Sequence, residues 1–219
     1  MSLPNQEKAR FNMVEQQVRP WEVLDPRVIG ILHGARRDHF VPAAYRHLAY
    51  ADTALPLGEG AAMLTPNQEA HALQALQLRG GERVLEVGTG SGHMASLLAK
   101  IAAHVATMEI SPALVARAKD NLRSAGVDNV AVHEGNGFDG LPGDAPFDAI
   151  VLSGSVHDVP RTLLEQLKVG GRLFAIVGDA PAMRATRITR VAPDGWHTEA
   201  LFETAAPRLV EPARNRFAF

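Results

Sequence analysis

Residues 86–92 read Glu-Val-Gly-Thr-Gly-Ser-Gly, with an apolar run before them and a helix-patterned run after them. Glycines at a strand-to-helix turn admit backbone angles that side chains disfavour, and they let a ligand approach the main chain closely. Two phosphate-binding patterns are excluded. A dinucleotide fingerprint needs glycine at the sixth position counted from Gly88, where His93 stands, and no Gly-Lys-Ser or Gly-Lys-Thr triplet occurs anywhere.

The spacing E-x-G-x-G-x-G resembles the first motif of S-adenosylmethionine methyltransferases. Their cofactor carries no phosphate, so no lysine is called for. That reading makes Glu86, Gly88, Thr89, Gly90 and Gly92 candidate cofactor residues. Glu109, followed by Ile110, closes the next apolar run, where a carboxylate can accept from both ribose hydroxyls; the other reading is a surface glutamate at a strand end. Gly135-Asn136-Gly137 closes the third run. Asn136 both donates and accepts, so it can read the adenine edge, or it simply makes a turn between glycines. Ser153 ends the fourth run beside the expected methyl group, leaving room for a substrate or merely packing. Glu86 either holds the cofactor's ammonium or caps local backbone.

These residues need a scaffold that gathers strand ends. From residue 82 onward, apolar runs at 84–87, 104–109, 129–133, 147–152 and 172–177 alternate with helical patterns at 92–103, 112–126 and from Pro160 to Gly170. Such βαβ alternation predicts a Rossmann-like, mainly parallel, doubly wound α/β sheet. Residues 183–206 suit one or two further strands, antiparallel to the rest. Ahead of the sheet, residues 5–18 pattern as a helix with Phe11, Val14 and Val18 on one face, ended by Pro20. Asp25-Pro26 opens a second helix, and Thr65-Pro66-Asn67-Gln68 is a capping box opening a third that runs to Leu78. Residues 40–62 show no period and are expected to be an irregular connection. The natural division is an N-terminal helical and substrate-loop extension, 1–78, packed on a cofactor-binding core, 79–219, in one structural domain.

Composition narrows the function class. A chain of 219 residues can build a full core, and its net charge of −2 gives no general affinity for nucleic acid or anionic membrane. It contains no cysteine, so disulfides, thiolate nucleophiles and cysteine zinc sites are excluded, and no ligand cluster of metal-binding spacing is present. The first residues lack the apolar segment of a signal peptide, and no run is long enough to span a bilayer. A cytoplasmic setting is therefore expected, while nothing bears on oligomeric state.

Over about 200 residues the chain resembles the protein-L-isoaspartate O-methyltransferase family. The resemblance is carried by Met13-Val-Glu-Gln-Gln-Val-Arg19, Phe40-Val-Pro42, Tyr45-Arg-His-Leu-Ala-Tyr50, Leu55-Pro-Leu-Gly58, the run from Val84 to Gly92, Pro146-Phe-Asp-Ala-Ile150 and Gly170-Gly-Arg-Leu173. It implies S-adenosylmethionine as methyl donor, S-adenosylhomocysteine as product, and a protein or peptide carrying an isoaspartyl α-carboxylate as acceptor. It also implies a substrate loop at Met63, Leu64 and Thr65 and a C-terminal segment contributing Arg208 and Val210. One loop departs from the family pattern Gly-Gln-Thr-Ile-Ser-x-Pro. Counting back from Pro66, the serine position holds Leu64, and glutamine and threonine are replaced by Ala61 and Ala62. Thr65, one residue later, is a possible substitute for the serine, but it is also the expected helix cap, so no catalytic side chain is assigned. Arg208 can pair a substrate carboxylate or be a surface arginine. His157-Asp158 reads as a solvated loop pair, the other reading being a base for a neutral nucleophile. The apolar loop leaves two alternatives standing: the same fold with another acceptor, and a cofactor-binding protein without turnover. Residues from Arg214 onward match nothing assignable.

Overall fold

The computed structural model describes residues 4–210, so the tail from Arg214 lies outside the described residues. The elements run α1 (Pro4–Asn12), α2 (Pro26–Gly34), α3 (Arg37–Phe40), β1 (Leu55–Gly58), β2 (Ala61–Met63), α4 (Pro66–Leu76), β3 (Arg83–Val87), α5 (His93–Leu98), β4 (His104–Glu109), α6 (Pro112–Ser124), β5 (Val130–Glu134), β6 (Phe147–Val156), α7 (Arg161–Glu165), β7 (Leu167–Asp179), β8 (Ala182–Ala192) and β9 (Gly195–Glu203). Seven strands form one sheet in the order β5-β4-β3-β6-β7-β8-β9. Pairs from β5 through β7 are parallel, and β8 and β9 add antiparallel. The sheet is the Rossmann-like, mainly parallel arrangement the alternation predicts.

Strand order reverses at β3: β4 and β5 lie on one side, β6 and β7 on the other. Right-handed crossovers then place α5 and α6 on one face and α7 on the opposite face. Alternating side chains divide accordingly. Val84, Val105 and Val151 face a core shared with the N-terminal helices, α4, α5 and α6, whereas Leu85, Ala106 and Leu152 face a second core with Leu163 of α7. The first core mixes residues from Met13 to Ala206, so the N-terminal extension and the sheet share one interior.

Several local expectations need correction. From Met13 to Val18 the first helix widens to a π-helical turn. Met13, Val14 and Val18 take the buried face and Phe11 is left 55% exposed. Residues 40–62 are not irregular: they hold a 3-10 turn, Ala43–Leu48, and the β1–β2 hairpin. Leu55 and Leu57 are buried while Pro56 and Gly58 are exposed, a strand alternation too short to stand out from sequence. Helix α4 ends at Leu76 rather than Leu78, capped by Gln77 in a left-handed conformation. The Arg172 guanidinium donates to the carbonyls of Leu76 (2.7 Å) and Gln77 (3.0 Å), satisfying that terminus from a distant strand. Helix α5 ends at Leu98 rather than near residue 103; the Asn129 amide donates to Ala99 O and Ala102 O across the turn that follows. Helix α7 ends at Glu165, because Leu167–Asp179 pairs as a strand through Gly170-Gly171. Residues 183–206 supply two antiparallel strands. Among the described residues, no helix is long and apolar enough to cross a membrane.

Candidate functional site

The carboxyl ends of β3, β4, β5 and β6 converge at the point of strand-order reversal, where open α/β sheets bind ligands. A crevice open to solvent lies there. Its lining brings together Gly88, Gly90, Glu109, Ile110, Asn136, Gly137, Ser153, Arg208 and Val210, drawn from four strand ends and the C-terminal segment.

Glu109 ends β4 and is 7% exposed. One carboxylate oxygen accepts from Gly90 N at 2.8 Å and the other from Ser111 N at 3.0 Å. It thereby ties the glycine loop to the start of α6, and each oxygen retains a further lone-pair direction for a ligand hydroxyl. Gly88 and Gly90 have φ of +93° and +54°, and a Cβ would stand 2.7 Å from Leu209 Cδ2 at the first and 2.9 Å from Leu57 Cδ1 at the second. The loop is thus held between the hairpin and the C-terminal segment. Asn136 accepts from Phe138 N through Oδ1 at 3.0 Å, so it makes the turn and also lines the crevice. Met108, Ile110, Leu114 and Phe138 add apolar lining suited to a flat heterocycle.

A smaller chamber adjoins the crevice and shares Ala62, Gly88, Gly90 and Ser153 with it. Glu86, Thr89, Met63 and Leu64 line the chamber rather than the crevice. Glu86 has no exposed surface. Thr107 Oγ1 donates to it at 2.6 Å and Ser153 Oγ at 2.7 Å, while Thr89 Oγ1 lies 2.6 Å from Thr107 Oγ1. Burial pushes the Glu86 carboxyl up to about 8; the two hydroxyls oppose the shift and the charges of Glu69 and Glu109 reinforce it.

Two candidates occupy neither space. Gly92 is the left-handed N-cap of α5, where a Cβ would meet Leu122 Cγ at 3.2 Å, so its conformation serves helix packing. Thr65 is the α4 cap: Oγ1 accepts from Gln68 N at 3.3 Å and Gln68 Oε1 accepts from Thr65 N at 3.1 Å. Leu64 is 2% exposed and lines the chamber while belonging to the core.

Sequence reading missed a buried cluster behind that loop. Arg37, Glu69 and His93 are each 3% exposed or less. The Arg37 guanidinium donates to Glu69 and, at 2.5 Å, to Leu64 O, and His93 Nδ1 lies 3.0 Å from Glu69. Burial works against the charge on Glu69, but Arg37 and His93 outweigh it and hold its carboxyl below the ordinary range. The three residues come from α3, α4 and α5, and no local spacing marks them.

At the C-terminal side, Ser155 N donates to Pro207 O and Leu209 N to Ser155 O, laying residues 207–209 along the end of β6. Gly154 is required there, since a Cβ would meet Leu209 Cδ2 at 2.8 Å and Pro207 O at 3.0 Å. Arg208 lines the crevice and donates to Asp179 and to Gly178 O, both at 2.7 Å. His157 pairs with Asp179 at 2.8 Å and lines neither space.

Among the described residues lining the crevice, Arg208 is the one cation, against Glu59 and Glu109. A strand-end carboxylate, glycine turns, apolar walls and little positive charge fit a nucleoside without phosphate, and the residues present fit S-adenosylmethionine.

Comparisons with known proteins bear on the same region. Residues 8–203 match the family model described as protein-L-isoaspartate(D-aspartate) O-methyltransferase. A protein-L-isoaspartate O-methyltransferase 1 from Rhodopseudomonas palustris (strain HaA2) is 43% identical over 202 residues, covering 92% of this chain and 82% of the relative. A protein-L-isoaspartate O-methyltransferase from Burkholderia pseudomallei (strain 668) is 43% identical over 197 residues, covering 89% of this chain; the match spans 61% of that longer relative. Two solved structures share the fold. One, a protein-L-isoaspartate O-methyltransferase, superposes with a TM-score of 0.79 at 24% identity, covering 94% of this chain and 66% of its own. The other, a putative enzyme of the same name from Plasmodium falciparum in complex with S-adenosyl-L-homocysteine, gives 0.76 at 20% identity, covering 92% and 97%.

Proposed function

Because this chain belongs to the protein-L-isoaspartate(D-aspartate) O-methyltransferase family, whose members use S-adenosylmethionine, we propose that it methylates the α-carboxylate of isoaspartyl residues in protein or peptide substrates. When bound, the cofactor supplies an electrophilic sulfonium methyl group. The protein's own residues then have three tasks.

The first is to hold the nucleoside. Glu109 accepts the ribose hydroxyls, Asn136 and Gly137 border the base, and Gly88 and Gly90 allow close approach of the main chain. The second is to place the amino-acid end of the cofactor, which falls to the chamber around Glu86. The third is alignment of the acceptor. A carboxylate is already ionised near pH 7, so no general base is required and positioning dominates. Met63, Leu64, Arg208 and Val210 are the proposed acceptor-side residues; Thr65 contributes as the cap that fixes the loop's exit into α4. In this reading, 1–78 shapes the acceptor side and 79–219 carries the cofactor, and the setting is cytoplasmic.

The observation that carries the proposal is Glu109, a nearly buried carboxylate joining Gly90 to Ser111 at the strand-order reversal. A second reading, the same fold with another acceptor, is favoured by Ala61, Ala62 and Leu64, which put no donor side chain at the family's polar loop positions. Incubation with methyl-labelled S-adenosylmethionine, an isoaspartyl peptide, its normal aspartyl counterpart and cell extract tests both. Label on the isoaspartyl peptide alone supports the proposal; label confined to another acceptor selects the second reading.

A further inference from the structure

Residues 207–209 pair with the end of β6: Ser155 N donates to Pro207 O at 2.7 Å, and Leu209 N to Ser155 O at 2.9 Å. Arg208 thereby stands in a parallel bridge with Ser155, two residues beyond Ser153 on the same strand. Its guanidinium is held from β7. Nη2 donates to Gly178 O and to Asp179 Oδ1, both at 2.7 Å, and the other Asp179 oxygen lies 2.8 Å from His157 Nδ1. Gly178 has φ of +118°, and a Cβ there would meet Ala182 O at 2.7 Å, so the turn that presents both acceptors needs glycine. One strand thus fixes the Arg208 backbone and another its head group, while the residue lines the crevice. Ala61 and Ala62 line the same crevice and Leu64 the adjoining chamber, and none of these three side chains carries a donor. A peptide carboxylate entering this space needs a polar partner, because desolvating an unpaired anion is costly. The one cation among the described residues lining the crevice is Arg208, and a guanidinium's planar fork of N–H donors matches a carboxylate.

We propose that Arg208 is the charged partner of the acceptor carboxylate, supplying what Ala61, Ala62 and Leu64 cannot, and that Asp179, braced by His157, is a positioning residue that holds its guanidinium. The proposal rests on the isoaspartyl reading above. Methyl transfer neutralises the acceptor, so its pairing with Arg208 is stronger in the bound ground state than in the transition state. Losing that pairing therefore shows in KM rather than in kcat.

Initial rates on an isoaspartyl peptide at saturating S-adenosylmethionine test this. Arg208→Leu is expected to raise the peptide KM about tenfold with little change in kcat. That is the low end for a charge-assisted pair, because Asp179 beside it is exposed and solvent screens the site. Arg208→Lys keeps the charge, loses the fork and recovers part of the loss. Asp179→Ala raises KM severalfold, and Asp179→Asn, which can still accept from Arg208, recovers most of that. A loss of folded protein lowers the apparent kcat and leaves KM alone, so KM separates positioning from a structural role. If Arg208→Leu does not fold, Arg208→Lys and the two Asp179 variants decide. A peptide KM unmoved by the Arg208 variants, or a rise in the KM for S-adenosylmethionine instead, overturns the proposal and leaves the isoaspartyl reading intact. A KM unmoved by Asp179→Ala overturns the positioning role. No methylation of the isoaspartyl peptide by the native chain overturns the isoaspartyl reading and this proposal with it.

Discussion

The two walls of the site are built by different means. The wall proposed for the cofactor is made of short segments, each at the end of one strand: residues 86–92, 109–111 and 135–137. Its key contacts join those ends to one another, as Glu109 does between Gly90 and Ser111. The wall proposed for the acceptor is a hairpin and a helix cap held from behind by Arg37, Glu69 and His93, residues brought together from three helices. The difference teaches that, in the proposed reading, cofactor binding is a property of strand ends, whereas the position of the loop assigned to the acceptor depends on a buried ion cluster.

Arg37→Met attacks the acceptor wall at its support. It leaves Glu69 buried without its guanidinium, and breaking a buried pair from one side costs about 3–5 kcal/mol. Denaturant unfolding is expected to show that loss, and Arg37→Met combined with Glu69→Met to recover most of it. If the single variant is as stable as the native chain, the cluster does not hold the loop.

Glu86→Gln probes the floor shared by both walls, read without cofactor. The folded carboxyl is raised to about 8 from an ordinary value of 4.5. A raised group contributes stability that is complete below its unfolded pKa and is lost as pH rises toward its folded pKa. The native chain is therefore expected to lose stability relative to Glu86→Gln as pH climbs from about 5 to 8, by on the order of a few kcal/mol. Parallel unfolding curves at the two pH values check this, and a constant difference would contradict it.

Glu109→Ala breaks the cofactor wall. Charge-assisted hydrogen bonds are worth about 1.5–3 kcal/mol, so affinity for S-adenosylhomocysteine should fall about 10- to 150-fold. Calorimetry measures it, and unchanged affinity removes Glu109 from the site. Leu64→Ser sharpens the comparison from the other side. It restores a hydroxyl where the family pattern has one, and the rate on an isoaspartyl peptide is expected to rise about tenfold per folded molecule. Removing a buried leucine lowers stability, so the rate must be referred to folded protein. Ala61→Gln and Ala62→Thr added to it should raise the rate further. No gain in either variant would mean that backbone donors suffice for the acceptor.

The same contrast explains what was legible in the sequence. Gly88, Gly90, Glu109 and Asn136 stood out because strand-end turns need glycine and because a carboxylate closing an apolar run is conspicuous. The capping box at Thr65 was readable for the same local reason, and the observed cap has both of its hydrogen bonds. The sheet was legible from alternation, including the late antiparallel strands. The β1–β2 hairpin was not, because Pro56 and two glycines interrupt a period-two pattern only a few residues long. Helix ends were misjudged where distant side chains, Arg172 and Asn129, meet the terminal carbonyls. Arg37, Glu69 and His93 were invisible for the strongest reason: a buried charge looks like a surface charge until its partner is known, and their partners lie 24 to 56 positions away along the chain.

The central claim is that S-adenosylmethionine binds across the ends of β3, β4 and β5 with Glu109 as its ribose acceptor. A crystal structure of the chain with S-adenosylhomocysteine tests it most directly. The account predicts both ribose hydroxyls within about 3.2 Å of the Glu109 carboxylate and the amino group beside Glu86 in the chamber. A nucleoside lodged elsewhere, for instance in the groove by Trp21 and His71 at the far side of α4, with Glu109 bonded only to Gly90 and Ser111, would contradict it.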